Sequence, residues 1–134
     1  LEKNNINVND NNGNITALSI ACDKGELEIV KALLDRNDIN INDNSGNTTA
    51  LKLAVKNKFH EIVGLLLDRK EIDVNDNCKD VTAIKIAAEN LDIEMIKLLT
   101  TRPEIIFDPE TIYDDVNHDK LNIILYLVNL KNKK

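Results

Sequence analysis

At 134 residues the chain is one domain's worth of polypeptide, and with 43% hydrophobic residues, only 3% aromatic and no Trp, its core must come from Leu, Ile, Val and Ala. Such a core suits thin layers of small helices better than one bulky centre. The net charge of −6 and pI near 4.9 argue against a nucleic-acid partner, because holding a phosphate backbone needs a concentrated basic surface.

The cysteines, Cys22 and Cys78, stand at non-equivalent positions and no Cys–His cluster has metal-ligand spacing. Neither a disulfide framework, a metal nor a cofactor is therefore expected. No apolar run approaches the roughly 18 residues needed to span a bilayer, and the first residues form no signal-peptide core. An intracellular chain, cytoplasmic or nuclear and without membrane association, is the expectation.

Taken in order, residues 1–10 align with residues 34–43, so residues 1–8 read as the end of a truncated upstream repeat. The next unit, 9–41, carries Thr16-Ala17-Leu18-Ser19-Ile20-Ala21 and then Leu27-Glu28-Ile29-Val30-Lys31-Ala32-Leu33-Leu34. Both stretches return 33 residues later in unit 42–74, headed by Thr49 and His60, and again in unit 75–107, headed by Thr82 and Ile93. A fixed period of this length marks a stack of supersecondary units. Thr16, Thr49 and Thr82 sit where a hydroxyl can cap a helix start. Ile29, Val30, Leu33 and Leu34 make one apolar stripe on a second helix. Asn, Asp and Gly crowd the segments between units, as tight turns require.

The last stretch, 108–134, is divergent. Asp108-Pro109-Glu110 reads as N-cap, first-turn proline and first-turn acid, and a capping repeat is expected there.

In register, these residues resemble ankyrin repeats. Three units match the family's Thr-Pro-Leu-His-x-Ala helix start, its Ile-Val-x-x-Leu-Leu second helix and its Asp-Val-Asn lead into the finger, here Asn40-Ile41-Asn42 and Asp73-Val74-Asn75. The resemblance implies an all-α solenoid of stacked antiparallel helix pairs joined by short turn or hairpin fingers, with the first helices on the concave side. There are departures. Ala17, Ala50 and Ala83 replace the family's Pro, and Lys58 and Leu91 stand where Gly25 keeps its Gly. Ser19, Lys52 and Lys85 replace the His that ties units together, which puts those ties in question. The short stretch from Asn42 to Gly46 points to tight loops.

Catalysis has little to stand on. His60 falls at a second-helix position held elsewhere by Leu27 and Ile93, His118 lies in a turn, and Cys22 shares its position with Val55 and Ala88. Cys78, in a finger, has no base near it in sequence, and no glycine loop cradles phosphate. No enzyme is expected.

The resemblance instead implies a protein–protein interaction scaffold whose partner meets the exposed first-helix positions Ser19, Asp23, Lys24, Lys52, Lys56, Asn57, Lys85, Glu89 and Asn90 and the finger tips Asn12, Ser45, Cys78 and Lys79. Lys52, Lys56, Lys79 and Lys85 would make that face locally basic and suited to an acidic segment of the partner. The alternative is a regulatory or targeting module of a larger enzyme or channel. A monomer is expected. Leu67 with Val74-Asn75, and Leu34 with Ile41-Asn42, also resemble the ankyrin pattern recognised by an asparaginyl hydroxylase, which implies modification of Asn42 and Asn75.

Proline at the first helical position restricts the unfolded chain without removing a needed donor. Ala50→Pro should therefore stabilise by about 0.4–1 kcal/mol in urea denaturation. A lower midpoint would show the helix start to be misplaced.

Overall fold

The chemical period becomes a structural one. The computed structural model describes residues 7–10, 15–107, 126, 129 and 130. Among residues 7–107 that it describes, six α-helices follow one another: α1 (Ala17–Lys24), α2 (Leu27–Leu34), α3 (Ala50–Lys56), α4 (His60–Leu67), α5 (Ala83–Glu89) and α6 (Ile93–Leu99). They pair as α1 with α2, α3 with α4 and α5 with α6, and the pairs stack. One row runs α1–α3–α5 and the other α2–α4–α6. This is an all-α solenoid.

Helix starts follow the sequence. Thr16, Thr49 and Thr82 are extended, and their hydroxyls accept from the N–H of Ser19, Lys52 and Lys85 at 3.2, 3.1 and 3.3 Å. Each such cap is worth about 1 kcal/mol.

Helix ends repeat as well. Gly25, Lys58 and Leu91 all adopt left-handed backbone, with φ of 73°, 63° and 56°. The next residue's N–H then closes back on the first helix, Glu26 to Ala21, Phe59 to Ala54 and Asp92 to Ala87, at 2.9–3.0 Å. This closure satisfies carbonyls that would otherwise be orphaned at the helix end. Lys58 and Leu91 carry the steric penalty of a Cβ in this conformation. Gly25 has a second constraint, because a Cβ there would lie 2.8 Å from Cζ of Phe59 in the next unit.

The fingers are turns, and no strand occurs among the described residues. Turn 44–47 closes with Asn47 N–H on Asn44 O at 2.9 Å, and turn 77–80 with Asp80 N–H on Asn77 O at 2.7 Å. The tight-loop expectation holds over the hairpin.

The core is layered at the same period. Leu18, Leu51 and Ile84 form one buried layer, Cys22, Val55 and Ala88 a second, Val30, Val63 and Ile96 a third, and Val8, Ile41 and Val74 a fourth. Tyr126 and Leu130 pack against this core. Residues 1–6, the proposed start of the last unit at Asp108-Pro109-Glu110, and His118 lie outside the described residues.

The glycines yield a test with opposite signs. A Cβ at Gly64, in α4, would meet nothing within 4 Å. Gly64→Ala should raise stability by about 0.5–1 kcal/mol. Gly25→Ala should cost at least about 1 kcal/mol. Urea midpoints of the two variants check this.

Candidate functional site

Any surface this solenoid offers is set by what its side chains must first do for the stack. Asn9, Asn42 and Asn75 each bridge to the next unit. Their Nδ2 groups donate to the carbonyls of Asp38, Glu71 and Glu104 at 2.7, 2.7 and 2.8 Å, and their Oδ1 atoms accept from the N–H of Asn40, Asp73 and Ile106 at 2.6, 2.7 and 2.8 Å. Both hydroxylation candidates, Asn42 and Asn75, thus have donor and acceptor committed to their neighbour's backbone.

Arginines form a second ladder that sequence reasoning missed. Arg69 Nη1 donates to Leu34 O at 2.5 Å and Arg102 Nη1 to Leu67 O at 2.6 Å, so each guanidinium caps the last residue of the preceding second helix. A cation there also meets the negative end of the helix dipole. Each also holds an acid two residues on, Glu71 at 2.8 Å and Glu104 at 2.6 Å. The signal was present: Arg36-x-Asp38, Arg69-x-Glu71 and Arg102-x-Glu104 recur at the repeat period.

Lys52 corrects the sequence reading. Expected on the exposed face, it is 3% exposed. Its Nζ lies 2.7 Å from Asp76 Oδ1 and donates to Val81 O at 3.0 Å and Cys78 O at 3.2 Å. Three acceptors meet the three protons of the ammonium, the condition for burying it. The tie that replacement of His puts in question is therefore made here, by a lysine reaching into the next finger. Asp76 also accepts from Cys78 N–H at 3.0 Å and from Asn44 Nδ2 at 2.9 Å. Burial pushes its carboxyl up, but the Lys52 hydrogen bond, the Cys78 and Asn44 bonds and the Lys52 charge together hold it below the ordinary Asp value.

Other predicted positions divide the same way. Ser19 is buried, its hydroxyl accepting from Thr16 at 3.2 Å, and is not available to a partner. Asn57 Nδ2 donates to Asp23 Oδ1 at 2.9 Å and Asp23 O at 3.2 Å, and Asn90 Nδ2 to Lys56 O at 3.2 Å. Asn57 and Asn90 thereby tie consecutive first helices together through Asp23 and Lys56. Lys24, Ser45, Lys56, Lys79 and Glu89 are exposed, and Lys85 is half-buried. Ser45 turns its hydroxyl onto Asp43 at 2.6 Å. Cys78 is half-buried. Asn12 lies outside the described residues.

The open face of the first helices is consequently more apolar than expected. Ile20 is 41% exposed, and Leu53 and Ile86, one and two periods on, are half-buried. This row was missed although its spacing is legible. Beside it the charge alternates along the row, from Asp23 to Lys56 to Glu89.

The remaining titratable candidates have structural occupations. His60 Nε2 contacts both Asp92 carboxylate oxygens at 2.9 Å, while Asp92 Oδ1 caps α6 by accepting from Met95 N–H at 3.1 Å. A small groove of about 340 Å³ lies beside His60, Phe59 and Gly25. Cys22 is fully buried, and burial pushes its thiol up to about 12, which keeps it from reactive thiolate. Among the described residues no group of three or more His, Cys, Asp and Glu could hold a metal ion, and no helix is long and apolar enough to cross a membrane.

Compared with known families, the chain matches the model described as ankyrin repeats (3 copies) over residues 1–78 and 37–111. No curated protein matches it.

Removing Lys52 would leave Asp76 largely buried with its countercharge gone. Lys52→Met should cost about 2–4 kcal/mol at pH 7. Because the folded-state pKa of Asp76 is depressed, its contribution is present above the unfolded value of about 3.9 and is lost as pH falls through the folded value. The stability gap between the parent and Lys52→Met, measured by urea denaturation, should therefore narrow below about pH 4.

Proposed function

Since the chain belongs to the ankyrin-repeat family, whose repeats mediate protein–protein interaction, we propose that it is a non-catalytic scaffold holding a partner protein against its first-helix face and fingers. The observation that carries this reading is the row Ile20, Leu53 and Ile86. Three successive units leave an apolar side chain partly exposed at the same helical position, although the stack covers every layer beneath it. Covering such a row by a partner removes apolar surface from water, which contributes about 25 cal/mol per Å².

Lys24, Lys56 and Lys85 flank the row and Lys79 stands on the neighbouring finger, so a segment with apolar anchors and acids beside them fits this side. Asp23 and Glu89 interrupt the basic surface, and Lys52 adds nothing to it because its charge is spent on Asp76. The partner's register is therefore set more by the apolar row than by a broad positive field.

Affinity capture with the full chain, followed by titration of the captured protein, tests this. Ile20→Asp and Lys56→Glu should each weaken binding at least about tenfold, while Glu28→Lys on the second-helix row leaves it unchanged. Equal binding by all three variants, with circular dichroism showing each folded, would overturn the reading.

A further inference from the structure

The start of α4 departs from the repeat in three linked places. Phe59 stands where the other units carry an acid, Glu26 and Asp92, while His60 replaces Leu27 and Ile93, and Gly64 replaces Lys31 and Lys97. The ring of Phe59 lies over Gly25 of the preceding unit. Beside it opens the groove of about 340 Å³, lined by Gly25, Leu27, Phe59, His60, Glu61 and Ile62. Its floor is apolar, since Ile62 is buried and Leu27 and Phe59 are half-buried against the core.

Glu61 is the unanswered charge on this groove. Glu28, Glu61 and Glu94 form one row in the first turns of α2, α4 and α6, where an acid meets the positive end of the helix dipole. The dipole accounts for the row but not for how its members are neutralised. Lys31 Nζ lies 3.4 Å from Glu28 and Lys97 Nζ 3.7 Å from Glu94, each three residues on along the helix. In α4 that place is held by Gly64, where a Cβ would meet nothing within 4 Å. Among the described residues Glu61 forms no ion pair. His60, at the rim, is turned to another acid, with Nε2 2.9 Å from both carboxylate oxygens of Asp92. No lysine or arginine lines the groove.

We propose that the groove receives an arginine from a segment of a partner protein. Its methylene stem lies over Leu27 and Phe59, and its guanidinium pairs with Glu61 above the space left by Gly64. The partner thus supplies the cation that Lys31 and Lys97 supply within the chain. Arginine suits the groove better than lysine because its planar, weakly hydrated group lies on an aromatic ring and still pairs with a carboxylate. The groove stands at the start of the second helices and its charge is opposite to that of the lysines flanking the first-helix row. It is therefore a separate contact, independent of what that row binds.

The test titrates the isotopically labelled full chain with N-acetyl-arginine amide and with its uncharged isostere N-acetyl-citrulline amide, following backbone amide shifts. The arginine probe should give saturable shifts centred on Gly25, Phe59 and Glu61, with a dissociation constant in the millimolar range, and the citrulline probe should bind more weakly. Glu61→Gln removes the carboxylate charge and Gly64→Lys answers it within the chain. Each should weaken the arginine probe about two- to fivefold, the worth of one exposed ion pair. Gly64→Ala should leave it unchanged, which separates the charge from the change in helix propensity at that position. Absence of localised shifts, equal binding of the two probes, or arginine binding unaltered in Glu61→Gln and Gly64→Lys would overturn the proposal.

Discussion

No described helix in this molecule exceeds eight residues, and a helix of that length is unstable alone in water because nucleation is not repaid by so few hydrogen bonds. Every helix here exists because another lies against it. This constraint accounts for the buried alanines that let first helices approach, for the layers that repeat through the core, and for the number of side chains committed to a neighbour's backbone. Stability in such a stack is approximately a sum of unit and interface terms.

The interfaces are stitched mainly by side chains reaching main-chain groups of the adjoining unit. Asn42 and Asn75 satisfy both a carbonyl and an N–H across the gap, and Arg69 and Arg102 close the ends of α2 and α4. The Asn bonds lie on the exposed margin and the Arg bonds are part-buried, so each adds a modest net stabilisation of about 0.5–1.5 kcal/mol along the seam between units. Lys52 belongs to the same set. With its charge neutralised by Asp76 and its protons distributed over three oxygens, it locks α3 to the finger that follows, at an interface where α1 has only Ser19 in the corresponding place.

This division of labour shapes what is left for recognition. Of the residues that period and family register put on the first-helix face, several turn out to hold units together, and those that remain outward are Asp23, Lys24, Lys56, Glu89 and the apolar row from Ile20 to Ile86. A surface with an apolar line and alternating charges selects a partner by spacing and local complementarity.

The 33-residue period, by itself, determined the helix pairs, the threonine caps, the burial of Leu51, Val55 and Val63, and the turn positions, because each of these depends on residue type at a local spacing. The Arg-x-acid recurrence and the row of Ile20, Leu53 and Ile86 were equally periodic but carried no label saying which faced inward. What only the tertiary structure decided was the fate of polar side chains whose partners are backbone groups in another unit. Lys52 looks like a solvated lysine until Cys78 O and Val81 O are seen converging on it, and Asn90 looks free until Lys56 O is placed beside it. A carbonyl has the same chemistry at every residue. The sequence therefore cannot show where two units bring one within reach of a donor, and the stacking geometry alone settles which polar residues serve the fold and which remain for a partner.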